Sequence, residues 1–223
     1  MIQCRRFCFC LLLLLLSSTP AHAVNILHGY AFNINGGINN NSLPTIGDDS
    51  LFDWDLSVGV LKLNFTGAGN YSVVALFDID IDTTTTDDGY FGFENEYGAI
   101  TGSPSIGQSW EIDGFLGDIR QNFEWGSLDN SNTVPSDRRD DVFMALGWDF
   151  SLAPNELALI DFVLSNEAPN SGFYLIQTDP DSQSSVYFSS VLTIAPAPVP
   201  EPATFILLGS GLAGLAFYRR KRK

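Results

Sequence analysis

The sequence predicts an all-β protein whose body is a single antiparallel β-sandwich. Three observations predict this fold. Apolar and polar residues alternate along several runs, glycine, asparagine and aspartate separate those runs, and 13% of the residues are aromatic. No long stretch between residues 24 and 200 repeats apolar residues at the helical spacing of i, i+3, i+4 and i+7. Many short strands joined by such turns are typical of jelly-roll or immunoglobulin-like sandwiches.

The longest alternating run, residues 71–81, places its six odd-numbered apolar residues on one side of a strand. Residues 61–65 and 186–194 alternate in the same way. Residues 142–150 fit a strand or a helix equally well, because their apolar residues are nearly continuous. Shorter runs predict further strands at residues 52–56, 90–93, 109–112, 157–164 and 172–177. A chain of 223 residues can bury such a core without disulfides or metals.

The charge of the chain is strongly acidic, with 26 acidic and 11 basic residues and a net charge of −15. Most basic residues lie at the two ends, so residues 24–200 hold only four against 25 acids, hence −21. Such a surface repels phosphate groups, which excludes nucleic acid as a partner. Residues 24–200 also contain no cysteine and one histidine, His28. This composition excludes thiolate zinc sites, two-histidine metal centres and cysteine nucleophiles from the body.

Residues 1–23 have the three parts of a secretory signal peptide. Arg5 and Arg6 are followed by ten apolar residues, 7–16, which are too few to span a bilayer. Ala21 and Ala23 then form a small-x-small site that predicts cleavage by signal peptidase before Val24. The alternative is an uncleaved N-terminal anchor. With cleavage, the mature body is residues 24–194.

The C-terminal end, after an Ala/Pro spacer at 195–198, combines three features in a fixed order. A short motif comes first, and a stretch without charge, residues 203–218, predicts a transmembrane helix about 24 Å long. A basic cluster closes the chain and, by the positive-inside rule, keeps the tail cytoplasmic and the body outside. The motif is Val199, Pro200, Glu201 and Pro202, and the basic cluster is Arg219, Arg220, Lys221, Arg222 and Lys223.

This arrangement over residues 199–223 resembles the PEP-CTERM sorting signal of Gram-negative bacteria. The resemblance implies recognition by an exosortase, a membrane protease-transpeptidase. It also implies a precursor anchored in the inner membrane before processing, and a final place at the cell surface or in the extracellular matrix of bacteria that make exopolysaccharide. The alternative is an ordinary tail anchor with a chance Pro-Glu-Pro.

Five aspartates within eleven residues form the densest acidic cluster. The first three alternate along the predicted strand 71–81 and just past it, so they share one face with Cβ atoms near 7 Å apart. Carboxylates so arranged are ligands for Ca²⁺, although the spacing departs from an EF-hand loop. The alternative is a solvated polar edge. The five residues are Asp78, Asp80, Asp82, Asp87 and Asp88.

The four tryptophans are the candidate ligand-binding residues, because aromatic rings stack on sugars and neighbouring acids hydrogen-bond to hydroxyl groups. In a sandwich, large aromatic side chains also fill the core. A glycosidase site needs two carboxylates, and acid pairs such as Asp53 with Asp55 and Glu94 with Glu96 could supply them. The tryptophans are Trp54, Trp110, Trp125 and Trp148.

Three functions are compatible with the sequence. The first is an exported, exosortase-sorted, non-enzymatic protein of the cell surface or matrix, associated with exopolysaccharide or biofilm, with no catalytic residues and no cofactor. The second is a carbohydrate-binding module, with or without Ca²⁺. The third is a secreted glycoside hydrolase. Exposure of the tryptophans distinguishes the first two, and a cleft with two carboxylates at catalytic spacing favours the third.

Overall fold

The strands of the body form two antiparallel sheets in the computed structural model, which describes residues 25–81, 95–198 and 204–221. The first sheet has the order β2-β1-β5-β8-β7 and the second has the order β3-β4-β9-β11-β10-β6. In chain order the strands are β1 (Asn25–Ile34), β2 (Gly37–Asn40), β3 (Gly47–Asp53), β4 (Val58–Thr66), β5 (Gly69–Ile81), β6 (Tyr97–Thr101), β7 (Gln108–Gly114), β8 (Val142–Leu152), β9 (Glu156–Ser165), β10 (Tyr174–Asp179) and β11 (Ser184–Pro196). The helices are α1 (Ile119–Trp125) and α2 (Thr204–Lys221). The predicted all-β class is confirmed, and the finer choice between jelly-roll and immunoglobulin-like topology stays a prediction.

The two sheets share one hydrophobic core, at whose centre four phenylalanines meet. Phe32 and Phe77 come from β1 and β5 of the first sheet, and Phe162 and Phe188 come from β9 and β11 of the second. The rings of Phe77 and Phe188 meet edge to face with centroids 4.9 Å apart, and those of Phe32 and Phe162 are 6.0 Å apart. All four side chains are at most 1% exposed. These contacts hold the two sheets face to face.

The outer face of the first sheet is also covered, by the short helix α1. Ile119 and Phe123 of α1 pack on Val74 and Leu76 of β5 in a second apolar cluster. The helix begins where the backbone N–H of Ile119 donates to Asp113 Oδ2 of β7, at 3.2 Å. A helix of only two turns is not stable through its own helix propensity. Contacts with side chains of the sheet therefore hold α1 in place.

Asn33 of β1 holds the other end of α1. Its buried Nδ2 donates to the carbonyl oxygens of Phe123 and Glu124, at 2.6 and 3.0 Å. These two carbonyls belong to the last turn of the helix, where the carbonyl of Phe123 also accepts from the backbone N–H of Gly126. Both ends of α1 are therefore tied to strands of the first sheet.

The alternation predicted for residues 71–81 is confirmed. The odd-numbered side chains of β5 face the shared core, whereas Val74 and Leu76 face α1, so both sides of this strand are buried. The ambiguous segment 142–150 is strand β8. The predicted strand 52–56 ends at Asp53, where a turn begins, and the predicted strand 90–93 lies outside the described residues.

The spacer predicted at 195–198 is shorter than expected. Ala195 and Pro196 continue β11, where they pair with Leu157 and Glu156 of β9. The backbone N–H of Ala197 still donates to the carbonyl of Asn155, at 2.7 Å. A proline is tolerated at the end of this strand because its missing N–H costs no interior ladder bond there. The folded body therefore extends to within a few residues of the C-terminal motif.

A helix forms in the C-terminal segment, α2, and its last turn carries Arg219, Arg220 and Lys221. Among the residues that the structure describes, no helix is long and apolar enough to cross a membrane, so the predicted transmembrane span 203–218 is not confirmed. The signal-peptide residues 1–23, with Ala21 and Ala23, lie outside the described residues. So do Val199–Pro202, Arg222 and Lys223.

Candidate functional site

A cleft of about 300 Å³ opens on the outer face of the first sheet. Residues of β1 and β2 line one side and residues of α1 line the other, with β5 and β8 beneath. The lining mixes aromatic rings with hydrogen-bonding groups, which is the composition of a binding pocket for a polar ligand. Its lining includes Tyr30, Asn40, Asn41, Asp78, Arg120 and Phe143.

Arg120 is the cationic group of this cleft. Its guanidinium carbon lies 4.5 Å from the ring centroid of Phe143, a cation–π contact, and its Nη2 lies 3.7 Å from Asp78 Oδ2. Burial, together with the charge of Asp80, raises the pKa of Asp78 to about 6, and Arg120 offsets only part of that effect. Arg120 thus lies between the ring of Phe143 and a carboxyl whose pKa is raised.

Further acids lie at the end of the first sheet beside this cleft. Oδ2 of Asp80 lies 2.6 Å from Nε2 of His28, and His28 lies at the position where the β1–β5 register shifts. Asp141, just before β8, is buried, and burial with repulsion from Asp78 and Asp80 raises its pKa to about 7. Of the five aspartates predicted to hold Ca²⁺, only Asp78 and Asp80 lie in the described residues, since Asp82, Asp87 and Asp88 fall outside them. Neither Asp78 nor Asp80 is a freely solvated side chain, because Asp80 is buried and Asp78 is half-buried.

Glu96 is buried on the inner side of the same region. Its carboxylate accepts from the backbone N–H of Ile81, at 3.1 Å, and from Nε2 of Gln177. Burial raises the pKa of Glu96 well above its usual range, more than these hydrogen bonds lower it. Its proposed partner for a glycosidase pair, Glu94, lies outside the described residues. In the other such pair, Asp53 Oδ1 accepts from the backbone N–H groups of Asp55 and Leu56, so that carboxylate shapes a turn.

The four tryptophans divide into two buried and two exposed. Trp110 and Trp148 belong to the core, and Nε1 of Trp148 donates to Ser190 Oγ at 2.9 Å. Trp125, at the end of α1, is 70% exposed, and Trp54 is 40% exposed. Trp110 and Trp148 are therefore core residues, and only Trp54 and Trp125 can contact a ligand at the surface.

Trp54 is held in a defined position. Its ring packs against Phe52 and Tyr30, with centroids 4.6 and 5.2 Å away, and its Nε1 donates to Asp49 Oδ2 at 3.0 Å. Tyr30 pairs with Phe77 of β5, whose side chain faces the core, so the ring of Tyr30 lies on the inner face of the first sheet and Trp54 is separate from the cleft. A ring fixed by packing loses little side-chain entropy when a ligand binds.

One group of carboxylates among the described residues is close enough to hold a metal ion, and it lies at another place. Ligand atoms of Glu111, Asp118 and Asp129 lie within 4.8 Å of one another. Glu111 is fully buried and accepts from Asn122 Nδ2 at 3.1 and 3.2 Å. Burial raises the pKa of Glu111 to about 7 despite these hydrogen bonds. Because neighbouring groups of the protein already bond to Glu111, its burial is explained without an ion.

The comparisons with known proteins add information at the C-terminus. The family model of the PEP-CTERM protein-sorting motif matches residues 198–223. The chain carries a PEP-CTERM motif. No curated protein and no solved structure gives a significant match to the chain. The match begins one residue before the segment that the sequence predicted, and α2 with its three described basic residues lies inside it.

The PEP-CTERM motif implies an exosortase as the processing partner, export of the chain, and a membrane-anchored precursor from which sorting starts. The resemblance found in the sequence is therefore confirmed. The motif occupies only the tail, so it indicates how the protein is sorted. The function of the folded body has to be inferred from the chemistry of its surface.

Several residues of the cleft and its surroundings were not predicted from the sequence. Tyr30 and Arg120 lie in segments without a strong pattern, and Asp141 is one of two adjacent aspartates in a charged stretch. The signal that could have singled out Arg120 is its rarity, since it is one of only four basic residues in the body.

Proposed function

We propose that this protein is an exported, non-enzymatic component of the cell surface or extracellular matrix, released from its membrane-anchored precursor by an exosortase. The observation that carries this proposal is the PEP-CTERM motif at residues 198–223. The two-sheet body supports it, because a core of this size lets an exported domain fold without disulfides. Its acidic surface supports it as well, since a net charge far from zero keeps proteins soluble in a crowded matrix.

The test is mass spectrometry of the mature protein from its native host, read at both ends. We expect the N-terminus at Val24, because Ala21 and Ala23 fit the pockets of signal peptidase. We expect the C-terminus at or near Pro200–Pro202, without the basic tail. A mature chain that retains residues 203–223 would contradict exosortase processing, and one that begins at Met1 would contradict the signal peptide.

A second candidate function, polysaccharide binding, is favoured by Trp54, an exposed ring held in a fixed position by Phe52 and Tyr30. The carboxylates of Asp53 and Asp55 beside this ring are acceptors for hydroxyl groups of a sugar. The charge of −21 on residues 24–200 favours a neutral polysaccharide over an acidic one. The same surface supports a matrix role, because a matrix protein needs a contact with the polymer around it.

The test of this function is affinity electrophoresis through gels that contain dextran, mannan or hydroxyethylcellulose. We expect at least one of them to retard the protein, and Trp54→Ala to weaken that retardation about tenfold, because one aromatic contact contributes about 1.4 kcal/mol. Trp125→Ala is the matched control, since it removes the other exposed tryptophan, which lies at the end of α1. Equal retardation of the wild type and Trp54→Ala would exclude this surface as the binding site. New reducing ends in the polymer would instead indicate a hydrolase.

A further inference from the structure

The cleft on the outer face of the first sheet has an apolar floor. Ala31, Leu76 and Phe143 line it from the sheet, and all three belong to the apolar cluster that α1 covers. Ile38 of β2 adds an apolar side wall and is 41% exposed. The volume of about 300 Å³ lies at the lower end of the range for ligand pockets, so the cleft takes a small ligand with an apolar side.

The central polar groups of the cleft are a hydrogen-bond donor beside an acceptor. Nη2 of Arg120 lies 3.7 Å from Oδ2 of Asp78, which is beyond hydrogen-bond distance, so the two groups do not saturate each other. The cation–π contact with Phe143 holds the guanidinium in place before a ligand arrives. A donor and an acceptor at this spacing match two neighbouring hydroxyl groups, one accepting from the guanidinium and the other donating to the carboxylate.

Two asparagines at the end of β2 extend this polar edge. Oδ1 of Asn41 accepts from the backbone N–H of Tyr30 at 3.1 Å, and the backbone N–H of Asn41 donates to the carbonyl of Tyr30 at 2.8 Å. The position of Asn41 is therefore fixed by β1. Asn40 precedes it and also lines the cleft. An amide side chain both donates and accepts, as a hydroxyl group requires of its partners.

The charges of the cleft favour a neutral ligand. The lining contains one guanidinium, that of Arg120, and two carboxyl groups, those of Asp78 and Glu124. An anion would meet both carboxyl groups within a body that carries −21 over residues 24–200. A cation would meet the guanidinium. A neutral ligand with several hydroxyl groups uses the donors and acceptors of the cleft without either repulsion.

We propose that this cleft binds one neutral sugar ring, with Arg120 and Asp78 bonding to neighbouring hydroxyl groups and Asn40 and Asn41 bonding to others. A sugar ring has the two kinds of surface that the cleft offers to a ligand. Its C–H groups form an apolar face for the floor, and its hydroxyl groups project from its rim. This site is separate from Trp54, and the inference depends neither on sorting nor on polysaccharide binding at that tryptophan.

The experiment is saturation-transfer difference NMR on the mature protein, with the methyl glycosides of glucose, galactose, mannose and N-acetylglucosamine as probes. We expect at least one of them to receive saturation and to titrate with a single Kd. NaCl should leave that Kd unchanged, because salt screens only interactions between charges. The methyl glycoside of glucuronic acid is the charged comparison and should bind more weakly.

Two cleft variants and one control assign the binding to this place. Gly29→Leu should abolish it, because a Cβ atom there would meet Asp78 and Asn41 at 3.6 and 3.9 Å, ordinary contacts, while the rest of the side chain fills the cleft. Arg120→Lys keeps the charge but loses the planar fork of donors, and should weaken binding about tenfold. Arg138→Lys makes the same change at an arginine outside the cleft lining and should bind like the wild type.

Three outcomes would overturn the proposal, once circular dichroism has shown that the variants are folded. The first is that none of the four neutral glycosides receives saturation. The second is binding that persists in the cleft variants, which would place the sugar elsewhere on the protein. The third is tighter binding of the glucuronide that NaCl weakens, which would indicate an anion site at Arg120. If Gly29→Leu does not fold, Arg120→Lys against Arg138→Lys decides the second outcome.

Discussion

Replacing Pro200, Glu201 and Pro202 together with alanine should leave the protein in the membrane fraction instead of the medium or matrix. These residues lie within the matched PEP-CTERM motif, between the last strand of the body and α2. The prolines fix the backbone and favour an extended conformation around them, which is the form in which a protease binds its substrate. Release should fall from nearly complete to nearly absent, measured by immunoblot of membrane and released fractions from the native host.

The matched control for this variant is Pro196→Ala. Pro196 is an exposed proline at the end of β11, a few residues before the motif, and it should be replaceable without effect on release. Unchanged release of the triple variant would show that Pro-Glu-Pro is not read by the processing enzyme, and would leave an ordinary tail anchor as the explanation of the C-terminus.

Replacing Phe188 with alanine should destabilise the body by about 3–5 kcal/mol, because it removes a fully buried ring from the contact between the sheets. Phe188 contacts Phe77 of the opposite sheet and Phe162 of its own, so the void would lie where the two halves of the core meet. Urea unfolding followed by tryptophan fluorescence measures this loss, since Trp110 and Trp148 are buried in the same core.

Tyr187→Ala is the matched control for Phe188→Ala. Tyr187 is the preceding residue of β11, points to the opposite face, is half-buried and packs edge to face on Tyr174. Its loss should cost about 1 kcal/mol, the value of one surface aromatic pair. If the two variants were equally stable, the core would not lie between the sheets as described.

The strands with a strict period of two could be predicted from the sequence, and β5 shows why. Its odd-numbered apolar residues had to share a face, and that face is the core. The same pattern did not predict that Val74 and Leu76 are covered, because the cover is α1. That helix is too short to produce a helical period and is held by Asp113 and Asn33 from distant strands.

The candidate site could be predicted only in part, for a related reason. Asp78 and Asp80 stand out as neighbours in the sequence, whereas Asp141 joins them through strand pairing over sixty residues later. Likewise, composition marks all four tryptophans equally, and only packing separates the exposed Trp54 and Trp125 from the buried Trp110 and Trp148. Local patterns identify candidate ligands, but the partners of each one depend on tertiary contacts.

The position of β11 has a consequence for the order in which the protein folds and is sorted. This strand lies between β9 and β10, so without it the second sheet remains in two unjoined parts, β3-β4-β9 and β10-β6. It is also the last strand of the body and ends at Pro196, directly before the sorting segment at 198–223. The second sheet can therefore be joined only after nearly the whole body has been made, because β11 is its last strand and pairs with both β9 and β10. A chain that is truncated or degraded before β11 neither completes its domain nor carries the signal for release. Because of this strand order, a chain that carries the sorting signal also contains every strand that the domain needs.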